Sequence, residues 1–395
     1  MLEVLYSRLD ELYDEIVKIR RHLHQYPELS FQETKTAKFI ADYQEKLGYE
    51  VRRNVGGNGV VAYLKGDKPG PTVALRADFD ALPIQEETDL PFRSKVDGVM
   101  HACGHDGHTA TLLGLAKALN GMKKDLRGTV VFIHQHAEEK VPGGAKSMIE
   151  DGCLDGVDVI FGVHLQAQTP LGEINYREGA LQAAADFFEI KIQGQGGHGA
   201  YPHQTKDSIV IGSELVGHLQ QIVSRKINPL KPAVVSIGTF EAINANNIIA
   251  DTAVLKGTVR TLNDDVRNYI AEEIKNVIDA TCALYQAEGE LKYDWGYPVL
   301  INHKEETDFA AELAKDVPGV TKVAETEPVM GGEDFAYYLQ KVKGSFLFVG
   351  AKDPEKEFAY PHHHPKFDID ERSLLIAAKL LGKITVEYLE KHSEK

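Results

Sequence analysis

Short β-rich runs alternate with helical stretches along this chain, and its polar clusters fall just beyond the ends of the runs. The strands read as Val60–Tyr63, Thr72–Arg76, Thr129–His134, Val157–Val163 and Ser345–Val349. Thr34–Leu47, Thr109–Leu119 and Gly144–Glu150 carry helical spacing between them. Such alternation builds βαβ units, which predicts an α/β fold with a mainly parallel sheet covered on both faces. Ligands of such sheets gather beyond the carboxyl ends of the strands. Here RADFDALP follows one strand, HQHAEE ends another and HLQAQTP ends a third.

Around residue 183 the texture changes. Phe187–Ile192 alternates, GQGGHGAYPH is a glycine-rich turn and Asp207–Val223 is helical. Ala233–Phe240 and Asp251–Thr261 read as strands, Asp264–Gln286 as a long helix, and a last strand lies near Glu290–Tyr293. That order is a β-α-β-β-α-β unit able to fold on its own, and its antiparallel sheet has an edge open to pairing. A chain of 395 residues exceeds what one core usually supports. The expected division is therefore one domain of residues 1–182 and 294–395, interrupted by an inserted domain of residues 183–293. The N-terminus forms an amphipathic helix with Leu5, Leu9, Leu12, Ile16, Ile19 and Leu23 on one stripe. The tail LEKHSEK is expected to fray.

Charge narrows the function. Acidic residues outnumber basic ones 59 to 44, a net of −15, which argues against a nucleic-acid or anionic-membrane surface. No apolar run is long enough for a membrane helix, and the N-terminus lacks a secretory segment, so the expected compartment is the cytoplasm. Among three cysteines none forms a CxxC pair. Cys153 and Cys282 read as small buried hydrophobes. The neighbours of Cys103 set it apart.

His101-Ala-Cys-Gly-His-Asp-Gly-His108 packs three histidines, a cysteine and an aspartate into eight positions. Thiolate, imidazole and carboxylate are the ligand set of a divalent ion such as zinc, manganese, cobalt or nickel. Cys103 and His105, two apart, can point to one side of an extended loop. In His134-Gln-His-Ala-Glu-Glu139 two adjacent carboxylates end an apolar strand, where they are costly unless paired or metal-bound. One of the two can ligate while the other faces the substrate. His164 follows the apolar run Val157–Phe161, and Tyr360-Pro-His-His-His-Pro365 holds three histidines between prolines.

Taken together these elements resemble the M20 metallopeptidase family, in the subgroup of aminoacylases, hippurate hydrolases and auxin-conjugate hydrolases. The match runs from HLHQYPELSFQE at 22–33 through LRADFDALP, MHACGHDGHTA and HAEE to GTVRT, GGEDF and HHP. The resemblance implies two divalent ions per chain on Cys103, His105, Glu139, His164 and His363, with Glu138 as general base. It further implies a histidine from the inserted domain, His198, and a substrate clamp of Asn246 and Arg260. Glu333 of GGED is a pocket candidate without a role, and Asp78, Asp80 and Asp106 read as partners orienting the histidines. The inserted domain would be a ferredoxin-like lid through which two copies pair, giving a homodimer. The chain departs from the family at His136, where proline is usual, and at Leu165-Gln-Ala-Gln, where a proline-containing stretch is usual.

The implied activity is hydrolysis of the amide bond of an N-acyl amino acid. A di- or oligopeptidase of the same fold breaks the same bond and is the alternative. A cysteine hydrolase built on Cys103 and His105 leaves His164, His363 and Glu139 without purpose. A metal-binding scaffold without activity leaves Glu138 without one.

Overall fold

Leu5, Leu9, Ile16, Ile19 and Leu23 recur every three to seven residues and are buried along one side of the helix Leu2–Gln25, with Leu12 at the margin of the stripe. This helix packs against His105–Asn120 and Arg372–Lys391. The contact is close because two glycines permit it. A Cβ on Gly114 would come within 2.4 Å of Ile16, and one on Gly382 within 2.8 Å of Leu5. The middle helix is buried nearly all round, since every residue from His105 to Leu119 except Lys117 is buried.

The computed structural model describes residues 1–393, which fall into two units. The first comprises Met1–Gly179, Ile301–Glu327 and Asp334–Lys395. Among the described residues its eight-stranded sheet runs in the order Glu50–Val55, Gly59–Lys65, Arg127–Gln135, Lys68–Asp78, Val159–Pro170, Lys343–Lys352, Glu173–Tyr176, Lys322–Glu325. The middle strands Arg127–Gln135, Lys68–Asp78, Val159–Pro170 and Lys343–Lys352 are mutually parallel. On the flanks, Gly59–Lys65 pairs antiparallel with both its neighbours and Glu173–Tyr176 pairs antiparallel with Lys343–Lys352. The sheet is therefore mixed, and the parallel part is the part that positions chemistry. Register brings Asp78 level with Gln135, Arg76 level with Gly162 and His164 level with Phe348. The carboxyl ends of three strands thus meet along one edge.

The second unit comprises Ala180–Leu300 and Pro328–Glu333. Among the described residues its main sheet has four strands, ordered Ala233–Glu241, Thr252–Thr261, Ala184–Gln193, Glu288–Tyr297, all antiparallel. The helices Ser208–Gln221 and Asp264–Leu284 bury Ile211, Leu215, Ile270, Ile274 and Ile278 against Phe188, Ile190 and Leu255. Both helices begin where the sequence supplies a cap. The Asp207 side chain accepts from Ile209 N and Val210 N, and that of Asn263 accepts from Val266 N. This unit extends beyond the limits 183 and 293, because its last strand runs on to Tyr297 and residues 328–333 join it. Val329 N donates to Leu181 O at 2.9 Å, and Ala183 N to Val329 O at 3.1 Å.

The tail does not fray where the sequence suggested. Arg372–Lys391 is one helix with Leu389 buried, and of the expected frayed stretch only residues 394–395 lie outside the described ones. Among the described residues no helix is long and apolar enough to cross a membrane.

One buried histidine makes this fold sensitive to acid. Gln44 Nε2 donates to His134 Nε2 at 2.8 Å, which leaves the ring proton on Nδ1, buried and without a partner. Burial pushes its pKa down to about 3 from 6.5. The unfolded chain therefore takes up the proton first. The contribution of the neutral ring is complete above pH about 6.5 and is lost as pH falls toward 3, at up to about 1.4 kcal/mol per pH unit. Denaturant unfolding between pH about 4 and 7 should show a shallower dependence for His134→Leu than for the unmodified chain. Equal slopes would show that His134 accepts its proton without cost.

Candidate metal centre

Gly104 starts the centre. It adopts φ +93°, a left-handed conformation that suits glycine, and the helix His105–Asn120 begins directly after it. Cys103 and His105 were expected in an extended loop; they flank a helix start instead. The helix places His105 and His108 one turn apart, with their rings 5.4 Å from each other.

Two aspartates then separate the histidines. Asp78, the last residue of Lys68–Asp78, lies 2.6 Å from His108 Nδ1, while His108 Nε2 accepts from Leu165 N at 2.9 Å. Both nitrogens of His108 are used. Asp80 holds His105 from the other side, with Oδ1 3.1 Å from Nδ1. His105 Nε2 is buried with no hydrogen-bond partner, as is Glu139 Oε1, and the two lie 3.8 Å apart. Asp106 does not orient a candidate ligand as expected. It accepts from Arg20 Nε at 2.9 Å and His24 Nδ1 at 2.8 Å.

His164 lies in the strand Val159–Pro170. Its Nδ1 donates to Leu165 O at 3.0 Å, leaving Nε2 to face Cys103 Sγ at 3.5 Å. Burial, and then the neighbouring His108 and His362, hold its pKa well down, so it stays a neutral donor. The three consecutive histidines divide in the same way. His362 Nε2 donates to Leu165 O at 2.9 Å, and His364 stacks on Tyr360 while its Nδ1 accepts from Lys366 N at 3.0 Å. His363 takes a positive φ of +65°, is anchored by its N–H to Ala102 O at 2.8 Å, and brings Nε2 to 3.2 Å from Glu139 Oε1 outside hydrogen-bonding geometry.

Overlapping donor sets result, each with atoms within 4.8 Å of one another, among them Cys103, His105 and His164; Cys103, Glu139 and His363; His105, Glu138 and Glu139; and Asp78, His105 and His108. Electrostatics favour a cation among them. Burial opposes charge on His105, but Asp78, Asp80 and Glu139 outweigh it and hold its pKa up at about 10. Burial, Glu139 and Glu138 push the Cys103 thiol well up, the opposite of what a nucleophilic cysteine needs. The donors and the orphaned atoms fit one or two divalent ions.

The remaining candidates lie elsewhere. His198, Asn246 and Arg260 belong to the second unit, and Glu333 closes its segment Pro328–Glu333. His198 is exposed on a short strand paired with Ile248, and its Nδ1 accepts from Ala200 N at 3.1 Å. Asn246 is exposed in the loop before that strand. Arg260, half-buried, donates to Val259 O at 3.1 Å and lies over the Phe187 ring at 5.3 Å. His136 is buried, and its ring stands edge-on to Phe31 at 5.9 Å. Sequence reasoning passed over Arg76, although an arginine inside VALRAD was the signal. It is buried and binds Gln135 Oε1 at 2.9 Å and Asp334 Oδ1 at 2.8 Å.

The two histidines of the helix should therefore respond differently. His105→Ala should lose bound divalent metal. His108→Ala should keep it while losing about 1–3 kcal/mol of stability, because Asp78 and Leu165 N lose their partner. Elemental analysis beside denaturant unfolding checks both, and metal loss in His108→Ala alone would reverse the assignment.

Comparison with known proteins agrees with this geometry. The family model "Peptidase family M20/M25/M40" matches residues 74–387. Over 382 residues the chain is 58% identical to YhaA of Bacillus subtilis (strain 168), provisionally named an amidohydrolase, covering 97% of this chain and 96% of that protein. It is 42% identical over 394 residues to thermostable carboxypeptidase 1 of Saccharolobus solfataricus, covering 99% of this chain and 100% of that one. The crystal structure of the Bacillus subtilis YXEP protein, described as a dinuclear metal binding peptidase from the M20 family, superposes with a TM-score of 0.83 at 38% identity, over 96% of this chain and 99% of that one. The chain belongs to peptidase family M20/M25/M40 and is a hydrolase of that family.

Proposed function

We propose that the chain hydrolyses the amide bond of N-acyl amino acids with two divalent ions per chain, held by Cys103, His105, Glu139, His164 and His363. The observation that carries this is the overlap of the donor sets, in which Cys103, His105 and Glu139 are each shared while His105 Nε2 and Glu139 Oε1 have no hydrogen-bond partner among the described residues. The name of the YXEP protein supports the count of two. Bound there, the ions would supply Lewis acidity, polarising the amide carbonyl and lowering the pKa of a nearby water toward about 7.

Glu138 is the general base. It is buried beside Glu139, with its Oε2 4.0 Å from His105 Nε2. It takes the proton of the attacking water as oxygen bonds to the carbonyl carbon. It then returns that proton to the nitrogen as the C–N bond breaks, leaving an amine and a carboxylic acid, whose remaining proton passes to the amine to give carboxylate and ammonium. Asp80 and Leu165 O keep the His105 and His164 rings turned toward the donor sets. In the inserted unit, proposed as a ferredoxin-like lid through which two copies pair, His198 stabilises the oxyanion. Arg260 and Asn246 hold a free α-carboxylate, a group that suits the fork of an arginine.

An amidohydrolase and a carboxypeptidase both hydrolyse an amide bond, so names of both kinds among the relatives support one chemistry.

Two experiments test this function. Glu138→Ala should lower kcat by about two to four decades with metal retained, whereas Glu139→Ala should lose metal. If both variants keep metal and lose activity equally, the division of roles is wrong. N-acetyl and N-benzoyl amino acids should be cleaved at least about tenfold faster than their methyl esters or amides, in line with the loss of a charge-assisted pair worth about 1.5–3 kcal/mol. Equal rates on the blocked substrates would remove the carboxylate clamp.

A further inference from the structure

The stretch HLHQYPELSFQE supplies no metal donor, yet it lies against the backbone that carries Glu138. Leu29 bridges to Ala81, and Ala81 N donates to Glu28 O at 2.9 Å. Ser30 Oγ donates to Asp80 Oδ2 at 2.7 Å, and the same oxygen accepts from Glu139 N at 2.9 Å. Three residues on, Glu33 is fully buried. Its Oε1 accepts from Ala137 N at 2.8 Å and its Oε2 from Asn58 Nδ2 at 3.0 Å. Ala137 O in turn accepts from Gly144 N at 3.1 Å. The amides on either side of Glu138 therefore both end on buried carboxylates.

Ala137 is where this grip matters. Its φ is +52°, a left-handed conformation that a residue with a Cβ enters only when its surroundings hold it there. That turn takes the chain off the strand Arg127–Gln135 immediately before Glu138. A base must stay within hydrogen-bond reach of the proton it removes, so a slackened turn costs turnover rather than binding. Burial pushes the Glu33 carboxyl up to about 7. What it offers is thus a buried acceptor more than a charge, since an oxygen accepts from Ala137 N in either protonation state.

We propose that Glu33 is a positioning residue for the reaction, holding through its hydrogen bond to Ala137 N the left-handed turn that sets the Glu138 carboxylate. This rests on Glu138 as the general base.

The test compares Glu33→Ala, Glu33→Asp and Glu33→Gln with Glu138→Ala and the unmodified chain. Metal content, kcat and KM on an N-acetyl amino acid are measured, with amide hydrogen exchange of the peptide containing residue 137. Asp is one methylene too short to reach Ala137 N, while the Gln oxygen can accept from it and its nitrogen can donate to Asn58 once that amide turns over. Ala and Asp should lower kcat by about 10- to 100-fold, with KM and metal content within about twofold and faster exchange at residue 137. Gln should restore both kcat and protection. Unchanged kcat in Ala and Asp, a Gln variant as impaired as Asp, or a loss that follows metal loss would each overturn the proposal. Should Glu33→Ala fail to fold, the Asp and Gln pair decides alone. Full activity in Glu138→Ala would overturn the base assignment and the proposal with it. An inactive Glu138→Ala beside unimpaired Glu33 variants would overturn the proposal alone.

Discussion

Asp80 is the point on which the metal centre depends. Buried, it accepts from the His105 ring, the Ser30 hydroxyl and the Glu139 amide. A buried carboxylate is tolerable only when its oxygens are occupied, and three donors from three segments do that. Burial raises its pKa, but the hydrogen bond and charge of His105 bring the net shift down. Each donor is thereby fixed as firmly as Asp80 itself. Two residues earlier, Asp78 does the same with Arg76 and His108. The pair decides which histidine has a nitrogen to spare: His108 has both engaged, and His105 Nε2 has no hydrogen-bond partner among the described residues.

The negative charge gathered at the strand ends would destabilise the fold if nothing opposed it. Arg76 lies beneath it, buried and shared between Asp78 and Asp334, and Arg20 reaches Asp106, Asp368 and Glu371 from the N-terminal helix. Removing either partner of such a buried pair costs about 3–5 kcal/mol, because a buried charge is left alone. The close contacts at Gly114 and Gly382 bring the N-terminal helix near enough for Arg20 to arrive. Helix packing and site electrostatics are therefore one problem. A cation held among Cys103, His105 and Glu139, as proposed, would add to that neutralisation.

Much of this was legible in the sequence. The stripe of Leu5, Leu9, Ile16, Ile19 and Leu23 gave the first helix, because burial imposes its period directly, and short apolar runs marked the central strands, although Val159–Pro170 continues seven residues past the expected end at Val163. The octet, HAEE and the triple histidine showed where donors lie. What stayed hidden depends on contacts between distant segments. Nothing within the octet separates His105 from His108; Asp78, Asp80 and Leu165 N do. The start of the helix at His105 lacks a capping side chain and depends on the left-handed Gly104. Antiparallel flanks on a parallel centre leave no mark in hydrophobic period. The grip of Glu33 on Ala137 spans 104 positions and has no local signature.

The adjacency of Glu138 and Glu139 explains why so much structure surrounds a short turn. Two neighbouring side chains on an extended chain diverge, so one can face metal donors while the other faces a reacting water. That economy has a condition. Slippage of the backbone would move base and ligand together, misplacing a proton acceptor and a donor atom at once. Loops carrying function are ordinarily exposed and mobile. Here His136, Ala137 and Glu138 are buried, and the backbone polar groups around them find partners within the fold. Glu33 and Asp80 take the amides of Ala137 and Glu139, and Gly144 N takes the Ala137 carbonyl. A segment that must end a strand, turn sharply and present two carboxylates is thereby held as firmly as the sheet it leaves.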